Sequence, residues 1–466
     1  MPKKHNVLTT ALAVAGCKLT RNALHLFRKG GTTLPGRVAM FFDRDILEVA
    51  SRGMDIIVVT GTNGKTTTSK MIETALEDAG LQPLNNKSGA NLLTGVTAEF
   101  VADAGFLGQP KTRYAVVESD EAALKQIVPL LHPKVIVVTN LFRDQLDRYG
   151  EVMHTLEQIR IGVSECPEST LCLNADCSLT SSLADGVPNR VVWYGVNTPV
   201  GSQAEAAVSD ARYCIRCGTE YHYTYHTYAH LGGFVCPHCG YARTAPQVAV
   251  EEILRTGADG STVRLGFAEP DGSRSTCTAD IALPALYNIY NAAAAIGAFE
   301  AAGLPRADIL SSLTKISSSF GRMETFDLDG VPVQMILIKN PAGANQSLEY
   351  LCGLDEDFQA VFCLNDNIAD GRDISWIWDA EFERLCESPH LKQITVSGLR
   401  AEDLQLRLKY AGVPEERMTL IRDNHAIIDQ CRKSTLPVFI LPNYTSMLSL
   451  RADISAVTGK DEFWKG

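Results

Sequence analysis

The stretch Asp55-Ile-Ile-Val-Val-Thr60-Gly61-Thr62-Asn63-Gly64-Lys65-Thr66-Thr67 decides the fold. Its first six residues are mostly apolar and β-branched, the composition of a short buried strand. A glycine loop follows at once, and residues 66–79 then read as a helix. A strand that turns through glycines into a helix brings bare backbone N–H groups to the helix N-terminus, where they close on phosphate. Lys65 is placed to reach the terminal phosphates of a nucleotide, and Thr66 or Thr67 to give a hydroxyl to Mg²⁺. The spacing is tighter than GxxxxGK[ST], so the alternative is a chance glycine turn; strand, lysine and threonines together argue against it.

Outward from this loop, Tyr114-Ala-Val-Val-Glu118 and Val135-Ile-Val-Val-Thr139 are two more buried-type strands separated by helical pattern. Strands alternating with helices predict a parallel, doubly wound sheet. Residues 205–245 break the pattern with tyrosines, histidines and paired cysteines, and read as an insertion. A helix over 290–302 closes the nucleotide domain. Apolar runs at 333–338, 360–364, 394–396 and 438–441 then mark a second α/β unit. The expected division is an N-terminal helical segment over 1–50, a central ATP-binding domain over 51–316 and a C-terminal α/β domain over 317–466.

Composition sets outer bounds. A chain of 466 residues with 45% apolar and 21% charged residues is an ordinary soluble globular composition. No run of roughly eighteen apolar residues predicts a transmembrane helix. A net charge of −11 argues against general nucleic-acid binding. That charge is uneven: Lys3, Lys4, Lys18, Arg21, Arg28, Lys29 and Arg37 precede the first acid, Asp43. Leu8, Leu12, Ala15, Leu19, Ala23 and Leu26 recur at helical spacing among them, so the segment reads as a basic amphipathic helix or helix pair. Packing on the domain behind it is the first expectation. Attraction to an anionic membrane surface, or to a lipid-linked anionic substrate, is the second. Val14-Ala15-Gly16-Cys17 superficially resembles a lipoprotein signal, but Thr9 and Thr10 interrupt the apolar stretch and ATP chemistry belongs in the cytoplasm.

Thirteen cysteines are too scattered for a disulfide framework in a chain this long. Four of them pair as Cys214-x-x-Cys217 and Cys236-x-x-Cys239, with Gly218 and Gly240 following to allow tight knuckle turns. Two such knuckles offer four thiolates in a tetrahedron, which suits Zn²⁺; full thiolate coordination makes the site structural. Four unrelated buried thiols are the alternative. Leu364-Asn-Asp366-Asn-Ile-Ala-Asp370-Gly-Arg-Asp373 is dense in carboxylates just beyond an apolar run, where α/β proteins keep functional groups. A solvated acidic loop with Asx turns fits the same residues.

The phosphate loop resembles that of the Mur ligases and folylpolyglutamate synthases, and the likeness continues in order. Thr139-Asn140-Leu141-x-x-Asp144-x-Leu146-Asp147 resembles the family's TNL-x-x-DHLD segment. Tyr287-Asn288-x-x-Asn291-x-x-Ala294-Ala295 resembles HN-x-x-N-x-x-AA, which implies that Asn291 faces adenine. Phe320-Gly321-Arg322-Met323-Glu324 resembles the GR-x-E element and implies that Arg322 touches phosphate. Asn340-Pro341 falls at the family's H-N-P turn, and Glu118 where it has a Mg²⁺ carboxylate. The resemblance thus implies nucleotide contacts from Gly61, Thr62, Asn63, Gly64, Lys65, Thr66 and Thr67.

There are departures. Gln145 replaces the family's histidine, and no lysine lies between Lys134 and Lys315, where amino-acid-adding members carry a carbamoylated one. Only about fifty residues precede the loop, too few for a UDP-binding domain. The LNDN-x-ADGRD-x-SWIWD run, the inserted zinc ribbon and the late Pro442-Asn-Tyr-Thr445 are similar to the MurT family of ligase subunits. That resemblance implies ATP, Mg²⁺ and structural Zn²⁺ as cofactors, lipid II as substrate and a GatD-type glutaminase as partner. It also implies that Asp373 completes the partner's Cys–His pair as a third triad member. The implied reaction converts D-glutamate of the stem peptide to D-isoglutamine through an acyl phosphate. A stand-alone amino-acid ligase and a non-enzymatic zinc-ribbon binding protein remain as rivals.

Overall fold

The fold is that of a computed structural model describing residues 6–26, 33–86, 90–143, 152–200, 210–257, 259–316 and 322–459. The first sheet contains β1 (Asp55–Thr60), β2 (Leu84–Asn85), β3 (Tyr114–Glu118), β4 (Val135–Val138), β5 (Thr170–Asn174), β6 (Val191–Val196), β9 (Val248–Gly257), β10 (Gly260–Ala268) and β11 (Arg274–Ile281). Its order is β11-β10-β9-β6-β5-β4-β1-β3-β2. Pairings from β2 through to β9 are parallel, and β9, β10 and β11 extend the sheet as an antiparallel meander. The inner residues of β1, β3, β4 and β5 are apolar because both faces are covered. The helix Leu286–Ala302, buried almost all round, lies on β5 and β6 and against the helix Lys65–Asp78. A helix apolar on every side has to be inside. Between β6 and β9 the chain forms a separate hairpin of β7 (His222–His226) and β8 (Gly232–Val235).

The second sheet holds β12 (Arg322–Leu328), β13 (Val331–Ile336), β14 (Phe358–Cys363), β15 (Leu391–Ser397), β16 (Met418–Leu420) and β17 (Val438–Pro442). Its order is β12-β13-β17-β14-β15-β16, parallel except at β12–β13. Side chains alternate across β14: Phe358, Ala360 and Phe362 join the core on one face, Val361 and Cys363 that on the other.

The N-terminal helix Val7–Leu26 meets the first expectation for that segment, but with a different face. It does pack on the domain, against the helices Leu34–Phe42 and Leu93–Asp103, but through Thr10, Ala13, Val14 and Cys17. These small residues, with Gly16, let the helices approach closely; a Cβ on Gly16 would stand 3.0 Å from Val38. The predicted apolar stripe faces outward instead, with Leu8 67%, Leu19 70% and Leu26 81% exposed. Cys17 is fully buried, and burial pushes its thiol up to about 11. Among the described residues no helix is long and apolar enough to cross a membrane.

Candidate active site

From β1 the chain passes to β2 and then β3 on one side and crosses to β4 on the other. The loops after β1, β3 and β4 therefore meet at a topological switch point, where α/β sheets open a binding crevice. Gly61 and Gly64 adopt φ of +120° and +88°, and the helix starts at Lys65. A Cβ on Gly64 would collide with the Asn291 carboxamide, and one on Gly61 with the Thr139 hydroxyl, so both positions require glycine. The segment after β4 holds the loop in place. Asn140 accepts from the Asn63 N–H (2.9 Å) and donates to its carbonyl (3.1 Å), and the Thr139 hydroxyl donates to the same carbonyl (2.7 Å). Thr62 donates to the Phe142 carbonyl and accepts from its N–H. Asn291 lies beneath the loop, accepting from Thr68 (3.4 Å) and donating to Asn288 (3.1 Å).

Lys65 is buried and its Nζ donates to the Gly61 carbonyl (2.6 Å) and to Glu121 (2.8 Å). Burial alone would lower the ammonium's pKa, but Glu121, Glu118 and Asp120 together hold it above the ordinary lysine value. Burial pushes the Glu121 carboxyl up against the pull of Lys65. Thr66 donates to Glu118 at 2.6 Å, so a hydroxyl and a carboxylate converge beside the loop, the hard oxygen donors that Mg²⁺ takes. Glu118 is fixed by its backbone, whose N–H and carbonyl both bond the Asn86 side chain (2.8 and 2.7 Å). Thr67 is buried on the helix's inner face.

The second sheet supplies the opposite wall. Asn340 caps the helix Pro341–Cys352 by accepting from Gly343 N–H, and donates to the Asn63 side chain at 3.1 Å. The neighbouring Lys339 acts electrostatically on Glu121, and Tyr444 lies close enough to feel the Glu118 charge. Lys65 and Thr66 were legible in the sequence; Glu121 and Lys339 were not singled out. The one available signal for Glu121 is the acidic run Glu118-Ser-Asp-Glu121 just past a parallel strand.

The three aspartates after β14 have different fates. Asp366 pairs with Arg400 at 2.9 Å. Asp370 is buried and accepts from both the backbone N–H (2.7 Å) and the hydroxyl of Thr445, pinning the loop to the start of the helix Tyr444–Thr458. Asp373 is half-buried and accepts from the Ser375 N–H at 2.8 Å; that bond, with the charge of Arg143, holds its carboxyl below the usual aspartate value. Among the described residues it has no cationic partner at ion-pair distance, unlike Asp366, and it is more exposed than Asp370.

All four sulfurs of the cysteine quartet lie within 4.8 Å of one another. Cys214 and Cys239 are 3.6 Å apart, and Cys217 and Cys236 3.4 Å. Sulfurs around one tetrahedral zinc stand about 3.8 Å apart. Each knuckle closes on its glycine, Gly218 and Gly240, both at φ +75°. Tyr221, Phe234 and Tyr241 form a small core beside them.

Residues 59–226 match the Mur ligase middle domain, and residues 337–447 match the MurT ligase C-terminal domain. The lipid II isoglutaminyl synthase (glutamine-hydrolyzing) subunit MurT of Streptococcus pneumoniae is 34% identical, over 90% of this chain and 92% of its own. The chain belongs to the MurT family. The Staphylococcus aureus member, of the same name, is also 34% identical, over 94% of this chain and 95% of its own. The fold matches a pseudomurein peptide ligase type C from Methanothermus fervidus with a TM-score of 0.64 at 19% identity, covering 89% of this chain and 80% of that one. In this MurT-family chain Asp144, Gln145, Asp147, Phe320 and Gly321 lie outside the described residues, as does the Arg322 side chain; the Arg322 backbone opens β12.

Proposed function

We propose that the chain is the ligase subunit of a glutamine-dependent amidating complex that acts on lipid II at the cytoplasmic face of the membrane. In this reading, an α-carboxylate oxygen of D-glutamate in the stem peptide attacks the γ-phosphorus of ATP. The new O–P bond forms as the bond to ADP breaks. Ammonia then attacks the acyl carbon and phosphate leaves, giving D-isoglutamine. The observation that carries the reading is the Lys65–Thr66–Glu118 constellation at the switch point, in a chain that matches MurT relatives along nearly its whole length.

The chain's residues divide the work as follows. The backbone N–H groups of Gly64, Lys65, Thr66 and Thr67, at the helix start, cradle the phosphates, and the Lys65 ammonium leaves the Gly61 carbonyl to neutralise phosphoryl oxygens as charge shifts. Magnesium held by Thr66 and Glu118 would screen the same oxygens. Asn140 holds the loop in shape, Asn291 would face adenine from beneath it, and Arg322 supplies a further cation to phosphate. Zinc bound by Cys214, Cys217, Cys236 and Cys239 would fix the hairpin and has no open position for chemistry. Ammonia needs no carboxylate clamp, in keeping with the absent lysine between 134 and 315. The partner is a GatD-type glutaminase. Asp373 is offered to it to orient the histidine of a Cys–His pair, as the acid does in any nucleophile–histidine–acid triad.

The test combines the full chain with the glutaminase, lipid II, glutamine and ATP, and reads the stem peptide by mass spectrometry. Conversion of the D-glutamate α-carboxyl to a carboxamide, dependent on ATP and on both chains, is the expected result. Incorporation of an added amino acid in its place would establish the stand-alone ligase.

A further inference from the structure

The outward stripe on the first helix has no role in the ligase chemistry. Leu8, Leu12, Ala15, Leu19, Ala23 and Leu26 follow one another up the helix Val7–Leu26, a line about 27 Å long at the helical rise of ~1.5 Å per residue. The adjoining helix Leu34–Phe42 repeats the arrangement: Leu34, Arg37 and Phe41 lie on one face, and Phe41 is 84% exposed. Arg44 follows, also exposed. The buried sides of both helices are already used against the domain core, so these apolar edges are surplus to its packing.

The charge around them selects the occupant. Residues 1–42 carry seven lysines and arginines and no acid in a chain of net charge −11. Lys3 and Lys4 precede the stripe, and Arg28 and Lys29 follow it. An apolar line bracketed by cations, on a helix too polar to cross a bilayer, has the make-up of a helix that lies in the interface of an anionic membrane. We propose that the N-terminal helix pair is a peripheral membrane anchor: the leucine stripe and Phe41 enter the headgroup region, while Arg37 and Arg44 meet anionic lipid phosphates. Lys18 and Arg21 turn to the domain, bonding the Ala104 carbonyl and Glu99, but Arg37 and Arg44 are exposed beside Leu34 and Phe41, so the face offers an anionic bilayer both apolar side chains and cations. The inference rests on the helix pair alone and stands or falls independently of the amidation chemistry.

Sedimentation of the full chain with vesicles tests it. Vesicles of phosphatidylcholine alone are compared with vesicles holding about a third phosphatidylglycerol, at low and high salt. The chain is expected to partition onto the anionic vesicles and to be released by salt. Leu19→Asp with Phe41→Asp, both exposed and therefore compatible with folding, should abolish partitioning with an unchanged melting curve. Arg37→Ala and Arg44→Ala should each weaken it about fivefold. Failure of the wild-type chain to bind anionic vesicles, or equal binding to neutral ones, would overturn the proposal. So would a wild-type dimer in light scattering that Leu19→Asp with Phe41→Asp converts to monomer, since the stripe would then be a protein interface.

Discussion

Lys65 and Glu121 are each stable in the interior only because the other is there. Removing the cation in Lys65→Met leaves Glu121 buried without its partner, an effect of about 3–5 kcal/mol in buried pairs. The carboxyl is already pushed up by burial, so it takes a proton more readily in the folded than in the unfolded chain. A raised folded pKa means that stability falls as pH rises. Urea unfolding should therefore show a larger deficit for Lys65→Met at pH 8 than at pH 5, with amidation reduced about 10²–10³-fold at either. Asp373→Asn is a contrasting case. Asparagine keeps the oxygen that accepts from Ser375 N–H, so the fold is preserved while the charge is lost. Glutamine-driven amidation should drop by roughly 10⁴, whereas amidation fed with ammonium chloride should be nearly unchanged. Lys65 and Thr66 were legible because each sits at a fixed offset from a strand end, and Glu118 through the family resemblance. Glu121, Asn140 and Asn340 were not read as partners of the loop, because a switch point gathers residues from distant stretches and sequence spacing does not register the meeting.

At the level of elements, helices and parallel strands were readable where burial is uniform. The runs of β1, β3, β4, β14 and β17 announced themselves, since a strand covered on both faces has only apolar side chains to offer. The antiparallel meander β9–β11 was missed because one face is wet and its alternation is diluted by charged residues such as Glu252, Arg255 and Arg264. The first helix shows a different limit: periodicity revealed an apolar face but could not say what covers it, and close packing went to the small residues instead. The β7–β8 hairpin carries its own prediction. Its core is little more than Tyr221, Phe234 and Tyr241, too small to hold two short strands unaided. The purified chain should contain one zinc ion per molecule by atomic absorption. Cys236→Ser should abolish it and lower the melting temperature by about 5 °C or more, since Thr227 and His230 of the hairpin's turn also pack against Tyr290 and Cys177 of the domain below.

Across the whole molecule, the catalytic crevice is a joint product of two sheets. The loop after β1 contributes the glycine-rich backbone proposed to hold phosphate, and the second sheet presents Asn340, Lys339 and Tyr444 to the same space. The order of motifs foretold both sheets, but their meeting at Asn63 and Asn340 had no local signature. Central to the account is that this crevice makes a carboxylate reactive by phosphorylating it. The most direct measurement labels the D-glutamate α-carboxylate of lipid II with a heavy oxygen isotope and follows the label through one turnover with ATP, glutamine and the glutaminase partner. The account predicts that one labelled oxygen appears in inorganic phosphate for every amide formed. Amide formed with unlabelled phosphate would contradict it.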